Sequence, residues 1–324
     1  MDNTFVSNLL ILLVQLLLFP GLLFIMVSSV WLAGIDRKLV ARMQRRVGPP
    51  ILQPWYDFLK CCGKETIIPR KANRTVFLAA PMLGLGSVFV TGMMIPVGGT
   101  QVISLSSDVI VILYLLTLAS VTLIIGSAAS GSPFAGVGLS REMVAMISYE
   151  LPFVLALLAV GKAAGEGAQF GVTFSLADIS AYQAEHGVLI RHYALIPAAI
   201  AMLFVIPCEV GQQPFDIDEA ETEICEGVLA EYSGHPLARY KLMHCVKMYV
   251  MSGLFCAMFL NFQTGIIALD AVIFLILCTA VTFVCMTVPH AISARFRVEQ
   301  VFKFYWTFVA GLALISLVLV WLGF

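Results

Sequence analysis

The 324-residue sequence predicts an all-α, polytopic membrane protein of about eight spanning helices. Three observations carry that expectation. Hydrophobic residues make up 60% of the chain and charged residues only 12%, against roughly 25% charged in soluble domains. Mean hydropathy is +0.95. Apolar runs recur near the roughly 20 residues that a bilayer core demands, and basic residues collect on one side of them. This composition excludes a soluble enzyme, a disordered chain and a disulfide-rich secreted domain. A net charge of -1 removes any general electrostatic case for nucleic-acid binding.

The first run, 9–33, is longer than a signal h-region of about 7–15 residues and lacks a basic leader, so it reads as a retained span. The others fall at 76–96, 109–129, 142–160, 194–210, 243–261, 269–289 and 302–322. Segment 35–74 carries ten basic residues, and threading eight spans from it places seven more (Arg141, Arg239, Lys241, Lys247, Arg295, Arg297, Lys303) on the same face. Only Lys162 and Arg191 fall opposite. The positive-inside bias therefore makes 35–74, 130–141, 211–242 and 290–301 cytoplasmic, leaves both termini outside, and treats 1–324 as one membrane domain. No internal repeat is visible. The outer connection 161–193 has room for a short surface helix after Ser175. None of the eight cysteines has C-x-x-C spacing, so no metal site is expected from this chain.

In the first cytoplasmic loop, 36–47 has helical periodicity, with Lys38, Arg42, Arg45 and Arg46 on one face and Leu39, Val40, Met43 and Val47 on the other. That suits a helix lying at the membrane interface, ended by Gly48-Pro49-Pro50. A second helix should follow Pro54, with Trp55, Phe58, Leu59 and Cys62 as its apolar stripe. The loop reads either as a clamp on lipid headgroups or as a platform for a cytoplasmic partner.

Carboxylates inside a membrane are costly and mark function. Glu150 falls mid-span, and Pro152, which cannot donate to the carbonyl of Ser148, should bend the helix there. Glu142 is expected at the start of that helix, about 12 Å away along the axis. Glu209 ends the fifth span, and an acidic run follows to Glu231. Drawn as one helix, Asp216, Glu219, Glu223 and Glu226 share a stripe; Glu221 lies beside it. Four like charges in a row must be solvated, paired or partly protonated. Arg295, Arg297 and Lys303 are on the same side and available as partners. A carboxylate chain opening to the cytoplasm, and with it a proton path, is the natural reading.

Four ordered motifs then become specific. Asp36-Arg37-Lys38 with Arg46-Val47-Gly48-Pro49 and Leu52-Gln53-Pro54, Ile147-Ser148-Tyr149-Glu150, Pro214-Phe215-Asp216 through Glu231-Tyr232, and Ala294 to Gln300 resemble the complex I membrane subunit that holds the quinone chamber. The resemblance runs from about residue 30 to 305. Two departures favour one branch: only Pro50-Ile51 separates Pro49 from Leu52, where quinone-reducing members have a longer insert, and Gln212 stands where they usually carry arginine. Arg46-Val47-Gly48-Pro49-Pro50, Ser140-Arg141-Glu142-Met143 and Glu231-Tyr232-Ser233-Gly234 look like the homologous subunit of membrane-bound, energy-converting [NiFe] hydrogenases.

The resemblance implies a subunit with no redox cofactor of its own. [NiFe] and [4Fe-4S] centres are expected in partner subunits: hydrogenase large and small subunits on the cytoplasmic side, beside antiporter-like membrane subunits, in a prokaryotic cytoplasmic membrane. Glu142, Glu150, Glu209, Asp216, Glu219, Glu221, Glu223 and Glu226 would couple electron transfer to ion movement. Arg37, Arg46, Asp57, Arg141, Arg295 and Arg297 would be counter-charges or docking contacts. The rivals are a quinone- or methanophenazine-linked dehydrogenase subunit and an independent ion transporter; the absence of inverted repeats counts against the transporter.

Overall fold

The computed structural model describes residues 14–165, 171–262 and 264–323, so residues 9–13 of the expected first span lie outside it. Eight helices among the described residues are long and apolar enough to cross a membrane: span 1 Val14–Met43, span 2 Arg74–Met94, span 3 Asp108–Ser130, span 4 Pro133–Ala163, span 5 Tyr193–Val210, span 6 Gly234–Phe259, span 7 Ile267–Ile292 and span 8 Val298–Trp321. Among the described residues there is no strand beyond a single bridge between Val97 and Thr100.

Three boundaries differ from expectation. Span 4 starts at Pro133 rather than 142 and span 6 at Gly234 rather than 243. Hydropathy drops the glycine-bearing start of span 4 and the polar first turns of span 6, but each helix runs on through them because its backbone bonds close internally. Pro133, with φ already helical and no N–H to orphan, starts span 4. Span 1 absorbs most of the expected interfacial helix, its α-helix running Leu22–Met43 without a break at Asp36. Arg45, at φ 59, and Gly48, at φ 72, turn the chain away from it.

The first-loop helix is Gln53–Cys62. Its inward face buries Pro54 and Cys61 with Trp55 and Phe58 half-buried, while Leu59 is exposed, so the apolar stripe is shifted from the expected register. The outer surface helix forms at Leu176–His186, capped by Ser175, whose Oγ accepts from the Asp178 N–H. Span 4 runs on through Pro152 as one helix.

Span 6 is the hub, packed against spans 1, 2, 5 and 7, while span 4 packs against spans 3, 5 and 8. Lipid tails are as apolar as leucine, so helix association rests on close packing and interhelical hydrogen bonds. Both are visible where spans 2, 3 and 6 meet. A Cβ on Gly84 would collide with Thr122 Oγ1 and approach Met243 Sδ to 2.8 Å; one on Gly126 would collide with the Tyr240 hydroxyl. Phe77 stacks on Tyr232 with ring centroids 4.1 Å apart, and Tyr240 Oη donates to the Thr122 carbonyl. Spans 7 and 8 each contain a π-helical turn, Phe283–Thr287 and Tyr305–Val309. Such turns re-aim side chains: Thr287 reaches span 1, and Tyr305 donates to the Phe204 carbonyl of span 5 at 2.6 Å.

Candidate functional site

Span 5 ends at Val210, with Gly211 in the left-handed region at φ 77. The last carbonyls of a helix lack intrahelical donors and carry the negative end of its dipole. Lys247 of span 6 answers that end. Its Nζ donates to the Glu209 carbonyl at 2.9 Å and to Ser120 Oγ of span 3 at 2.8 Å. It also stands 3.0 Å from Glu209 Oε1, which lies out of hydrogen-bonding alignment. Both side chains of the pair are nearly sealed, 6% and 1% exposed. Ser120 is fully buried, with Tyr149 Oη of span 4 at 3.4 Å, and it also contacts the buried Glu142 carboxyl. Four spans thus converge on one line, Glu209–Lys247–Ser120–Glu142.

The acidic run covers this line, though not as one helix. Glu221–Ile224 is one α-helical turn; Cys225 and Glu226, at φ 51 and 66, end it before a 3-10 turn at Gly227–Leu229, so the expected four-residue stripe does not form. The reason lies in the packing of the loop on span 4, where a Cβ on Gly138 would sit 2.8 Å from Val228 N and 3.1 Å from the Asp218 carbonyl. That close approach turns Asp218 inward, 5% exposed. Burial, reinforced by Asp216, pushes the Asp218 carboxyl up to about 6, with Lys247 and the Glu219 N–H pulling the other way. Glu219 is raised by burial and by Asp218, Glu142 and Asp216.

At the mouth, Arg295 grips Asp216 through two hydrogen bonds of 2.8 and 2.6 Å. Arg141 binds Glu223 at 2.5 Å and the Ile217 carbonyl at 3.3 Å. Arg141, Ile217, Glu223, Phe296, Arg297 and Val298 line a cavity of about 280 Å³. A second buried cluster joins span 1, span 7 and the loop: Asp36 accepts from Thr287 at 2.6 Å and from Gln212 at 3.3 Å, and Gln212 Nε2 is 2.9 Å from His290 Nδ1. In the first loop Arg37 pairs with Asp57 at 2.8 Å. Hydrogen bonds from Gln53 and Arg37 outweigh partial burial and hold the Asp57 carboxyl below its usual range.

The structure therefore gathers Glu142, Glu209, Asp216, Glu219, Glu223, Arg141 and Arg295 at one region, with Arg297 on its cavity wall. Glu150 is half-buried and Glu226 exposed, neither in the line. Arg46 is exposed, and the side chain of Glu221 lies outside the described residues. Sequence reasoning missed Lys247, Ser120, Asp218, Asp36 and His290 as site residues. Lys247 carried a signal, a lone charge heading the long apolar stretch to Phe259; it was counted with the cytoplasmic face, and its burial removes it from that tally. Ser120 carried none. Among the described residues, no group of three or more His, Cys, Asp or Glu could hold a metal ion.

The family model described as NADH dehydrogenase matches residues 15–321. Similar relatives include a subunit of the NADH-quinone oxidoreductase of Thermomicrobium roseum, 33% identical over 94% of this chain and 93% of the relative. The like-named subunit of Dehalococcoides mccartyi is 31% identical over 95% of this chain and 85% of its own. Among solved structures, the membrane-bound sulfane sulfur reductase, described as an archaeal respiratory membrane complex, contains a chain that superposes with a TM-score of 0.83 at 28% identity, covering 98% of this chain and 100% of that one.

Proposed function

The chain belongs to the NADH dehydrogenase family, and from that membership we propose that it is the ion-coupling membrane subunit of an energy-converting [NiFe] hydrogenase. It is a membrane-spanning subunit of a multi-subunit, complex I-like oxidoreductase. The finer reading is supported by its short first loop and by Gln212, a neutral amide engaged with Asp36 and His290 where quinone-reducing members of the resembled family usually carry arginine. The solved neighbour, named for reduction of sulfane sulfur, also supports this reading.

The observation that carries the coupling role is the buried line Glu209–Lys247–Ser120–Glu142, roofed by Asp218 and Glu219 and opening toward the Arg141–Glu223 and Arg295–Asp216 pairs. In this reading the large and small subunits, holding the [NiFe] and [4Fe-4S] centres, dock on the face carrying the first loop and the acidic loop. Arg37, Arg46 and Arg297 lie on or near that face, and antiporter-like subunits adjoin within a prokaryotic cytoplasmic membrane. Both termini face outward.

The test is the intact complex purified through a tag on this chain, assayed for nickel, viologen-driven H₂ evolution, quinone reduction and sulfane-sulfur reduction. Nickel with H₂ evolution is expected. Quinone reduction without nickel assigns the chain to the dehydrogenase branch; sulfane-sulfur reduction without nickel assigns it to the neighbour's chemistry. Either result overturns the hydrogenase reading.

A further inference from the structure

We propose that the Ser120 hydroxyl is the relay carrying a proton between the Lys247–Glu209 pair and Glu142. The inference rests on the coupling role given above to these carboxylates. Among the described residues no ion pair joins Lys247 to Glu142 directly; Lys247 is paired with Glu209 instead. A lysine ammonium only donates hydrogen bonds and an ionised carboxylate only accepts them, whereas a hydroxyl does both. Ser120 stands between them in that sense: its Oγ accepts from Lys247 Nζ at 2.8 Å, and with Tyr149 Oη in the donor role its own proton points to Glu142.

Orientation is fixed from several sides. Lys247 spends a second N–H on the Glu209 carbonyl, at the C-terminal end of span 5, so its ammonium cannot swing away from Ser120 without losing that cap. Tyr149 Oη, 3.4 Å from Ser120 Oγ, flanks the hydroxyl on the side of span 4. Tyr149 and Lys247 are both buried, so the path is shielded from bulk water.

The step balances within these residues. One N–H bond of the Lys247 ammonium breaks as that proton bonds to Ser120 Oγ, while the original Ser120 O–H breaks and its proton bonds to a Glu142 carboxylate oxygen. Lys247 is left as a neutral amine and Glu142 as a neutral acid, with no net charge created. Once the Glu209 carboxylate takes up a proton from the acidic-loop side, the amine takes that proton, 3.0 Å away, which restores the starting ion pair. Run backward, the same transfers carry a proton from Glu142 toward Glu209.

The experiment uses the whole complex in proteoliposomes, with Ser120→Ala, Ser120→Thr and Glu142→Gln variants. Electron-transfer rate and lumenal acidification are read together, with subunit content checked by gel. Loss of a positioned proton-transfer group typically costs about 10²-fold or more, so Ser120→Ala is expected to cut acidification per electron at least about tenfold. Assembly stays intact, and Ser120→Thr, which keeps the hydroxyl, restores coupling. If Ser120→Ala couples as wild type while Glu142→Gln does not, the relay is wrong and the carboxylate role stands. If both couple normally, the carboxylate role fails and the relay with it. Failure of Ser120→Thr to restore an assembled complex marks Ser120 as a packing residue and also overturns the relay.

Discussion

Lys247→Met removes the cation from a pair whose side chains are 6% and 1% exposed. At the observed 3.0 Å, with an effective dielectric of about 20, the lost attraction is about 5.5 kcal/mol. So little exposure leaves almost no solvent screening to discount. Measured losses on breaking buried pairs run about 3–5 kcal/mol, because the partner is left as an uncompensated buried charge. The Glu209 carbonyl and Ser120 Oγ also lose their donor. The pair itself is not a net source of stability, since its desolvation offsets much of the attraction. Hence the sharper expectation concerns the double variant: Glu209→Gln with Lys247→Met removes both charges of the pair and should recover most of the loss. The assay is the fraction of complex surviving graded heating in detergent, followed by size exclusion, for wild type, both single variants and the double. Each single variant should shift the folding equilibrium by about a hundredfold or more, with the double close to wild type. Single variants as heat-resistant as wild type, or a double equal to the sum of the singles, would refute a coupled buried pair.

Two further outcomes follow from the loop. Asp218 has its folded-state carboxyl raised to about 6 from 3.8, so the folded loop binds more protons than the unfolded one; its contribution is complete below about pH 4 and is lost as pH rises through about 6. The protection factors of segment 211–232, corrected for the intrinsic pH dependence of amide exchange, should therefore be lower at pH 7.5 than at pH 5, and Asp218→Asn should flatten that difference; an unchanged pH response in the variant counts against a buried, proton-holding Asp218. Glu223→Gln breaks a pair whose glutamate side is 55% exposed, worth about 1 kcal/mol or less, so heat resistance should hold while acidification per electron falls; wild-type coupling in that variant removes Glu223 from the path.

Much of this was legible in the sequence, because bilayer solvation acts on composition and run length. The span count follows from hydropathy, and the room for a short helix after Ser175 from the length of connection 161–193. Failures came where a helix leaves the hydrocarbon. Span 4 and span 6 begin nine residues earlier than their apolar runs, since hydropathy measures the membrane rather than the helix. The acidic stripe failed for a different reason: periodicity supposes a helix, and the close packing of Gly138 against the Asp218 carbonyl and Val228 N–H leaves no room for one.

The sequence by itself determined that this chain crosses a membrane, which residues are charged there, and which motifs it shares with its family. Those are one-dimensional facts, set by the cost of placing each side chain in lipid. Only the tertiary structure decided which charges meet. Glu209 and Lys247 are 38 positions apart, and Ser120 is 127 from Lys247. They join because spans 3, 4, 5 and 6 pack against one another and buried polar groups seek partners in a medium that offers no water. A serine between leucines and alanines carries no mark of that role until the neighbouring helices bring a lysine and a glutamate to its hydroxyl.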